Sequence, residues 1–424
     1  MRKHVLVSAD EAETRVALLE ADGRVDQSTT PSKGPDPKFK VAELYLERRS
    51  TKSIVGNVYK GKVDNVVTGL EAAFVDIGLE KNGFLHVDEI VLPGVETPRR
   101  GRGKSKAGDS TINDLLKPGQ EITVQVVKDP LKTKGARLSM ELAIPGRFLV
   151  YSPQGEGVGV SRRLPDNERN RLRRAAKAVD IEQGGVIIRT AAHGAKEEDI
   201  GRELPYLYKL AEVLDRRVSE TQAPAPVFQE ADLAVRVVRD IATDEFEKAV
   251  VDNQKEYDRL VSFFTRTAPE LVERVELWDG KKGLFEEFGV EKTLKSTLSS
   301  RVDLPSGGYL IIDYAEALTV IDVNSGSFVG RGKSARLEDT ITKTNLEAAE
   351  EAVRQMRLRD IGGIIVIDFI DMARARNRDA VLKTLQKALN QDKTKTFVVE
   401  ISPLGLVEMT RQNVTDGVRE IMTR

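Results

Sequence analysis

Two acidic side chains in the last third of the sequence stand where buried β-strands are expected to end. Asp322 and Asn324 close the run ALTVIDVN, and Asp368 follows the apolar run IIVI. Residues two apart in a strand project from the same face, so Asp322 and Asn324 point the same way. A carboxylate taken into a core must be paired or bound to a metal. Taken alone, the first segment is better explained by a strand end at which both groups meet water.

The segments around these residues predict that the two strand ends meet. The apolar runs are separated by one helical segment, LEDTITKTNLEAAEEAVRQMRLRD. Two core strands joined by one helix would lie close together, and open sheets collect functional groups at the carboxyl ends of their strands. Asp322, Asn324 and Asp368 could then hold one hard divalent ion. Magnesium suits this set, because it keeps several waters and needs few protein carboxylates. Two unrelated strand ends are the less expected alternative.

Other kinds of catalytic machinery find less support in the residue pattern. The three histidines are scattered, so neither a paired-histidine ribonuclease mechanism nor a Ser-His-Asp arrangement follows from their spacing. The stretch SFVGRGKS at 327–334 resembles a nucleotide-binding loop, but Ser327 occupies the position that requires the first glycine. We therefore interpret residues 330–333 as a basic loop near the metal, able to meet a phosphodiester, and expect no ATP turnover.

Composition describes an ordinary globular chain without a membrane segment. The 424 residues are 40% hydrophobic and 31% charged, carry a net charge of −1 and include no cysteine. This length predicts about three domains. No apolar run approaches the roughly 20 residues of a membrane helix, and no signal peptide begins the chain. The lack of cysteine excludes disulfides and thiolate metal sites and fits a cytoplasmic protein. Two local basic clusters, at 97–108 and 161–177, are solvated segments or phosphate-binding surfaces.

The N-terminal half predicts strands that need partners and a small barrel. The opening reads as strand, turn, strand, with Asp22-Gly23 as the hairpin signal, and is too short to form a domain alone. From about 53 to 142, short β segments with regular turn signals suggest a barrel. The segment 225–296 alternates helix and strand and could receive the N-terminal strands.

Alternation within the barrel segments places aromatic side chains on the outer face. Phe74, Phe84 and His86 fall opposite the apolar positions of their strands, beside Lys60 and Lys62. Such a surface could stack bases of a nucleic acid. Covering a neighbouring domain explains the rings equally well.

A further buried strand, GGVIIRTAA, ends in Arg189 and Thr190. An arginine at a strand end can bind a phosphate through two N–H groups. Pairing with a carboxylate is an equally ordinary outcome.

Several motifs together resemble the catalytic region of the bacterial ribonuclease E/G family. They are EALTVIDVNSGS, EAAFVDIGLEKNGFLH, GVIIRTA, DLPSGG and the highly specific run from Asn345 to Met372. The similarity covers essentially the whole chain. It implies an α/β multidomain fold in which an RNase-H-like domain, split in sequence, contains an inserted OB-fold barrel and a 5′-sensor domain, followed by a DNase-I-like catalytic domain. The implied boundaries are 1–52 and 231–296 for the RNase-H-like parts, 53–142 for the OB-fold, 143–230 for the sensor and 297–424 for the catalytic domain.

The resemblance also implies an activity: magnesium-dependent endonucleolytic cleavage of single-stranded RNA in RNA processing, including rRNA processing and mRNA decay. The products would carry a 5′-phosphate and a 3′-hydroxyl. The family's metal-binding aspartates fall on Asp322 and Asp368, with a supporting asparagine at Asn324. A non-catalytic RNA-binding scaffold is the alternative function.

The remaining family site residues map onto three groups of positions. The groups are the 5′-monophosphate sensor at Arg189, Thr190, Gly146 and Val150, the RNA-clamping residues of the barrel at Phe74, Phe84 and Lys134, and an RNA-contacting position at Lys395. Lysine at 395 keeps the charge of the arginine found in some members but loses its bidentate geometry.

The family's assembly motif is not found in this chain. Members share zinc between subunits through a C-x-x-C motif beyond the catalytic domain, and this chain has no cysteine and ends at Arg424. We therefore expect a shortened form of a longer protein, with zinc possible only in the full-length chain. The expected partners are single-stranded RNA, a second copy (a dimer, or a tetramer in a longer form) and RNA-decay proteins bound through other regions. DNA is not an expected partner, and no membrane segment is expected within this chain.

Overall fold

The computed structural model describes residues 1–26, 34–91, 111–130, 134–179, 181, 183–326, 334–402, 405–412 and 417–423. The basic cluster at 97–108 and the loop at 330–333, both interpreted above, lie outside the described residues. The chain divides into two units. The first comprises Met1–Arg49, Glu247–Tyr257 and Arg274–Arg424, and the second comprises Ser50–Phe246 and Asp258–Glu273.

The chain begins in the first unit with three antiparallel strands, β1 (Arg2–Ala9), β2 (Glu13–Ala21) and β3 (Lys40–Arg48). A tight turn joins β1 to β2, in which Asp10 Oδ1 accepts the backbone N–H groups of Ala12 and Glu13. The prediction that Asp22-Gly23 forms the turn of this hairpin is wrong, because the pair lies after both strands, in the connection from β2 to β3. The turn between β1 and β2 is stabilised instead by the side chain of Asp10, which accepts backbone N–H groups two and three residues later in the chain.

A closed five-stranded barrel opens the second unit. Its elements are β4 (Val58–Val67), β5 (Ala72–Asp76), β6 (Gly83–His86), α1 (Ile112–Leu115), β7 (Glu121–Lys128) and β8 (Arg137–Ser139). The strand order is β4-β5-β6-β8-β7, and β7 pairs back with β4. The predicted alternation is confirmed, since Ala73, Val75 and Leu85 are buried while Phe74 and Phe84 are half-buried on the other face.

A small sheet flanked by two helices follows in the same unit. Its elements are β9 (Ile144–Pro145), β10 (Leu149–Ser152), β11 (Gly157–Val160), α2 (Asp166–Ala178), β12 (Gly185–Ile188) and α3 (Glu197–Glu220). The strand order is β11-β12-β10-β9. Apolar residues at helical spacing bury one face of α3, among them Ile200, Leu204 and Leu207. The next strand, β13 (Ala225–Phe228), joins the barrel beside β4.

The following segment alternates helix and strand as predicted. Its elements are α4 (Leu233–Ile241), β14 (Phe246–Val251), α5 (Gln254–Thr267), β15 (Val275–Leu277), α6 (Leu284–Glu287) and α7 (Val290–Ser296). The N-terminal strands find their partners here, in a sheet of order β15-β14-β1-β2-β3. The expectation that these strands complete a sheet from a distant segment is confirmed.

A six-stranded sheet with flanking helices ends the chain. Its elements are β16 (Arg301–Asp303), β17 (Tyr309–Tyr314), β18 (Leu318–Asn324), α8 (Ser334–Arg359), β19 (Gly363–Asp368), α9 (Ala375–Leu389), β20 (Thr396–Ile401), β21 (Leu406–Arg411) and α10 (Val418–Thr423). The strand order is β16-β17-β18-β19-β21-β20. Only the pair β18 and β19, joined by α8, is parallel among the described pairings of this sheet.

Strict alternation in β18 decides which side chains face the core. Ile321 and Val323 are buried, and they belong to a core that includes residues of α8 and α9. Asp322 and Asn324 are only half-buried, because successive side chains of a strand point to opposite faces. The two polar groups therefore lie on the face of the sheet away from that core.

Among the residues that the structure describes, no helix is both long enough and apolar enough to cross a membrane.

Candidate functional site

Asp322 and Asp368 lie side by side at the carboxyl ends of β18 and β19, the two central strands of the six-stranded sheet. They are register partners on the parallel strands β18 and β19. Register partners on neighbouring strands project from the same face, with backbones about 4.8 Å apart. Asn324 is two residues further along the same face, and its Nδ2 donates to Asp322 Oδ2 at 2.7 Å. The structure thus brings together the three residues that the sequence predicted to share a site.

The electrostatics of this pair favour a cation. Asp368 is exposed, yet partial desolvation, followed by the nearby carboxylates of Asp322 and Asp371, raises its pKa above the usual value. Like charges disfavour the ionised form, and a positive charge between them removes that penalty. Within the described part of the chain, no group of three or more His, Cys, Asp or Glu residues suits a metal ion. The available donors are two carboxylates and one amide, which fit an ion that keeps most of its water ligands.

Buried residues of α8 hold the chain that follows Asp368. Asn345 is fully buried, and its Nδ2 donates to the carbonyl of Ile370 at 2.7 Å. Its Oδ1 accepts the N–H of the same residue at 3.1 Å. This two-way bond fixes the backbone two residues beyond Asp368. Residue-by-residue reasoning missed Asn345 as a positioning residue, although an asparagine within the helical stretch TNLEAAEEAV was a usable signal.

The loop after Asn324 requires glycine at its start. Gly326 has a φ of +61°, and a Cβ there would lie 2.3 Å from the carbonyl oxygen of Gly307. Any other residue would meet both backbone strain and a clash. The turn at Gly326 therefore packs closely against the turn at Gly307, next to the end of β18 that carries Asp322 and Asn324.

Lys395 immediately precedes β20, in the same unit as the aspartates, and its side chain is exposed. Its backbone carbonyl accepts the N–H of Gln412 at 2.9 Å. Among the described residues, no recorded contact joins Lys395 to the aspartates.

The four predicted sensor residues gather around the sheet of β9 to β12. Arg189 Nη1 donates to the carbonyl of Gly146 at 2.6 Å, and Nη2 donates to Asp240 Oδ1 at 2.6 Å. Thr190 is exposed, and Val150 is half-buried on β10. Of the two alternatives left open by the sequence, Arg189 shows carboxylate pairing. Its side chain keeps 21% exposure, so the guanidinium is still in contact with solvent.

A buried carboxylate on α3 holds the backbone of this sensor group. Glu203 is 3% exposed, and it accepts the N–H groups of Arg147, of Phe148 at 2.8 Å and of Leu149 at 2.9 Å. Burial raises the pKa of Glu203, against the lowering effect of these three donors. A Cβ on Gly146 would lie 2.5 Å from Glu203 Oε1, so a side chain there would push against the carboxylate that holds this backbone. An acid within the apolar face of a predicted helix was the signal that could have identified Glu203.

The barrel brings the predicted aromatic pair together. Phe74 and Phe84 are register partners on β5 and β6, with ring centroids 5.9 Å apart and planes at 71°. The N–H of Phe84 donates to the carbonyl of Ala136 at 2.7 Å, so the segment that includes the exposed Lys134 runs beside β6. Half-buried aromatic rings can stack bases, and an exposed lysine on the neighbouring segment can contact a phosphate.

Comparisons with known proteins match both the barrel and the remainder of the chain. The profile described as "Ribonuclease E/G family" matches residues 143–414, and the one described as "S1 RNA binding domain" matches residues 52–141. Ribonuclease G of Salmonella typhimurium is 41% identical over 423 residues, which are 100% of this chain and 82% of that protein. Ribonuclease G of Escherichia coli strain K12 has the same identity and coverage. Ribonuclease E of a Nostoc species is 40% identical over 372 residues, 87% of this chain and 52% of that protein.

Proposed function

This chain belongs to the ribonuclease E/G family, and from that premise we propose that it cleaves single-stranded RNA with magnesium, leaving a 5′-phosphate and a 3′-hydroxyl. It is an endoribonuclease with a role in RNA processing, and its barrel is an S1 RNA-binding domain of the OB-fold class. Relatives named as ribonucleases over the full chain remove the basis for a non-catalytic scaffold. Within the mixed α/β chain, we assign the sheet β15-β14-β1-β2-β3 to the RNase-H-like domain and the last sheet to the DNase-I-like domain.

The observation that carries this proposal is the register pairing of Asp322 with Asp368 on one face of the last sheet. These two carboxylates would hold the ion, and Asn324, bonded to Asp322, would orient the water or the scissile phosphate. Bound magnesium would polarise the phosphate and lower the pKa of the attacking water. Partial desolvation and then the carboxylates of Asp322 and Asp371 raise the pKa of Asp368, and a dication would relieve the repulsion between these carboxylates.

The barrel would bind the RNA through its bases without reading their sequence strongly. Every base has a face that an aromatic ring can stack upon, which favours unpaired RNA. Phe74 and Phe84 would supply the rings, and Lys134 would contact the backbone. Lys395 would contact the RNA in the first unit.

The sensor group would bind a 5′-monophosphate. Arg189 would donate to the phosphate oxygens together with the hydroxyl of Thr190, while Gly146 and Val150 would line the pocket. Cleavage of an RNA with a 5′-triphosphate would then be slower. A homo-oligomer, a cytoplasmic location, protein partners in RNA decay and a zinc link in a longer form are further parts of the proposal.

The decisive experiment measures cleavage of a short unstructured RNA with magnesium, with EDTA and with Asp368→Asn. We expect EDTA to abolish cleavage, and Asp368→Asn to lower kcat at least about 100-fold while RNA affinity is largely kept, because only transition-state stabilisation is lost. Asp313→Asn is the matched control, since Asp313 is an exposed aspartate on the adjacent strand β17. Full activity of Asp368→Asn would refute the proposed site.

A further inference from the structure

The face of the sheet that carries Asp322 continues across β17 and β16. Ile311 is the register partner of Asp322, and Arg301 is the register partner of Ile311. Tyr309 is the register partner of Asn324, the last residue of β18. Since register partners project from the same face, Arg301 and Tyr309 share the face of Asp322. Their backbones lie about 10 Å and about 5 Å from β18, at roughly 5 Å per strand.

The side chain of Arg301 rests on the ring of Tyr309. The Cζ atom of Arg301 is 3.8 Å from the centroid of that ring. Ile311 pairs with Asp322, and Tyr309, two residues before it on β17, pairs with Asn324 at the end of β18. Because it rests on Tyr309, the guanidinium is directed toward the end of β18 that carries Asn324. Stacking on an aromatic ring preserves the direction of the guanidinium without consuming its N–H groups.

Most donors of this guanidinium are available to a ligand. Its Nε donates to Asp303 Oδ1 at 2.9 Å, and for the described residues the structure records no hydrogen bond from Nη1 or Nη2. The side chains of Arg301 and Asp303 are 53% and 76% exposed. An ion pair this exposed contributes little and is readily exchanged for another anion. A planar guanidinium with two free amino groups matches the oxygens of a phosphate.

We propose that Arg301, held against Tyr309, binds a backbone phosphate of the RNA close to the scissile one. The inference rests on the proposed cleavage site at Asp322 and Asp368. Asp303 then competes with the RNA phosphate for Arg301, because its carboxylate pairs with the same guanidinium. A purely structural surface stack would not show opposite effects of changing the arginine and the acid.

The test measures RNA affinity in an Asp368→Asn background, by fluorescence anisotropy with a labelled short unstructured RNA. Arg301→Ala should raise Kd about tenfold, as expected for a phosphate contact. It should also lower the slope of log Kd against log salt by about 0.7, the value for one contact to a single strand. Arg301→Lys should give a Kd between those of the unaltered chain and Arg301→Ala, because lysine keeps the charge but lacks the two-donor geometry of arginine.

Asp303→Asn should act in the opposite direction and lower Kd by about twofold, by releasing the guanidinium from an exposed pair. In the active protein, Arg301→Ala should raise KM while kcat stays close to that of the unaltered chain. Arg354→Ala is the matched control and should change neither value. Arg354 is 41% exposed on α8 and pairs with Glu351 at 2.6 Å, so it repeats the arginine–acid pair elsewhere in the same unit.

An unchanged Kd and salt slope for Arg301→Ala would overturn the inference, as would an Asp303→Asn variant that weakens binding. Thermal unfolding of each variant checks that the fold is kept. Continued cleavage by Asp368→Asn would instead refute the proposed cleavage site. Loss of that cleavage together with an unchanged Kd in Arg301→Ala would refute only the phosphate contact.

Discussion

The guanidinium of Arg189 is divided between the carbonyl of Gly146 and the carboxylate of Asp240. Both partners orient the side chain, and Asp240 is 44% exposed, so an incoming phosphate can compete for the same donors. Charge-assisted, two-donor bonds to phosphate are among the stronger hydrogen bonds in proteins. The proposed preference for a 5′-monophosphate therefore depends mainly on one residue.

Arg189→Ala should lower the cleavage rate of a 5′-monophosphorylated oligomer about tenfold, to the rate of the triphosphorylated one, because a two-donor phosphate contact is lost. The triphosphorylated rate itself should not change. Single-turnover rates on the two oligomers give the ratio. Arg202→Ala is the control, since Arg202 is 45% exposed in the same unit and pairs only loosely with Glu270 at 3.8 Å. Equal rates on both oligomers in the unaltered protein would remove the sensor proposal.

Helix α3 packs an apolar face against the sheet of β9 to β12 and also provides a carboxylate that binds the backbone at the start of β10. The carboxylate of Glu203 accepts three consecutive backbone N–H groups, those of Arg147 and Phe148 before β10 and that of Leu149 at its start. The carboxylate is thus the acceptor for three neighbouring donors of one backbone segment. The helix thereby fixes the conformation of the segment that includes Gly146.

Glu203→Ala should destabilise the protein by about 3 kcal/mol, because three N–H groups in a buried setting lose their acceptor. Glu203→Gln should cost less, since its amide oxygen still accepts. The free energy of unfolding in urea measures both effects. Glu212→Ala, at an exposed position of the same helix, should cost no more than about 0.5 kcal/mol. A cost for Glu203→Ala as small as that of the control would show that the backbone finds other partners.

Across the whole molecule, long-range ion pairs tie distant parts of the chain into one unit. Arg357 on α8 binds Glu20 on β2 at 2.9 Å and Glu43 on β3 at 2.6 Å. All three side chains are at most 14% exposed. Glu20 and Glu43 are 337 and 314 residues away from Arg357 in sequence. These ion pairs therefore stabilise the packing of α8 against the N-terminal strands.

Arg357→Ala should cost about 3–5 kcal/mol, because it removes the shared counter-ion of Glu43, which is buried, and of Glu20, which is 14% exposed. Replacing Arg357, Glu20 and Glu43 together by apolar residues of similar volume should recover much of that loss. Urea unfolding again provides the measurement, with Arg354→Ala as an exposed control on the same helix. A negligible effect of Arg357→Ala would mean that water reaches and solvates the two acids.

The local pattern of residues was enough to predict the elements and the faces of the strands. The alternation in AAFVDIG and TVIDVN places Phe74 and Asp322 off the core, and one helix between two apolar strands predicts that Asp322 and Asp368 meet. Family resemblance supplied the remaining candidate residues, because an isolated arginine or lysine has no spacing from which a role can be inferred.

Periodicity is encoded by neighbouring residues, so the sequence by itself determined the barrel, the parallel pair β18 and β19 and the chemistry offered at their ends. Only the tertiary structure decided which residues contact each other when they are far apart in sequence. The contacts of Glu203 with the segment after Gly146, of Asp240 with Arg189 and of Arg301 with Tyr309 are products of sheet register and helix packing. Those depend on the burial of the whole core, which no short window of residues contains.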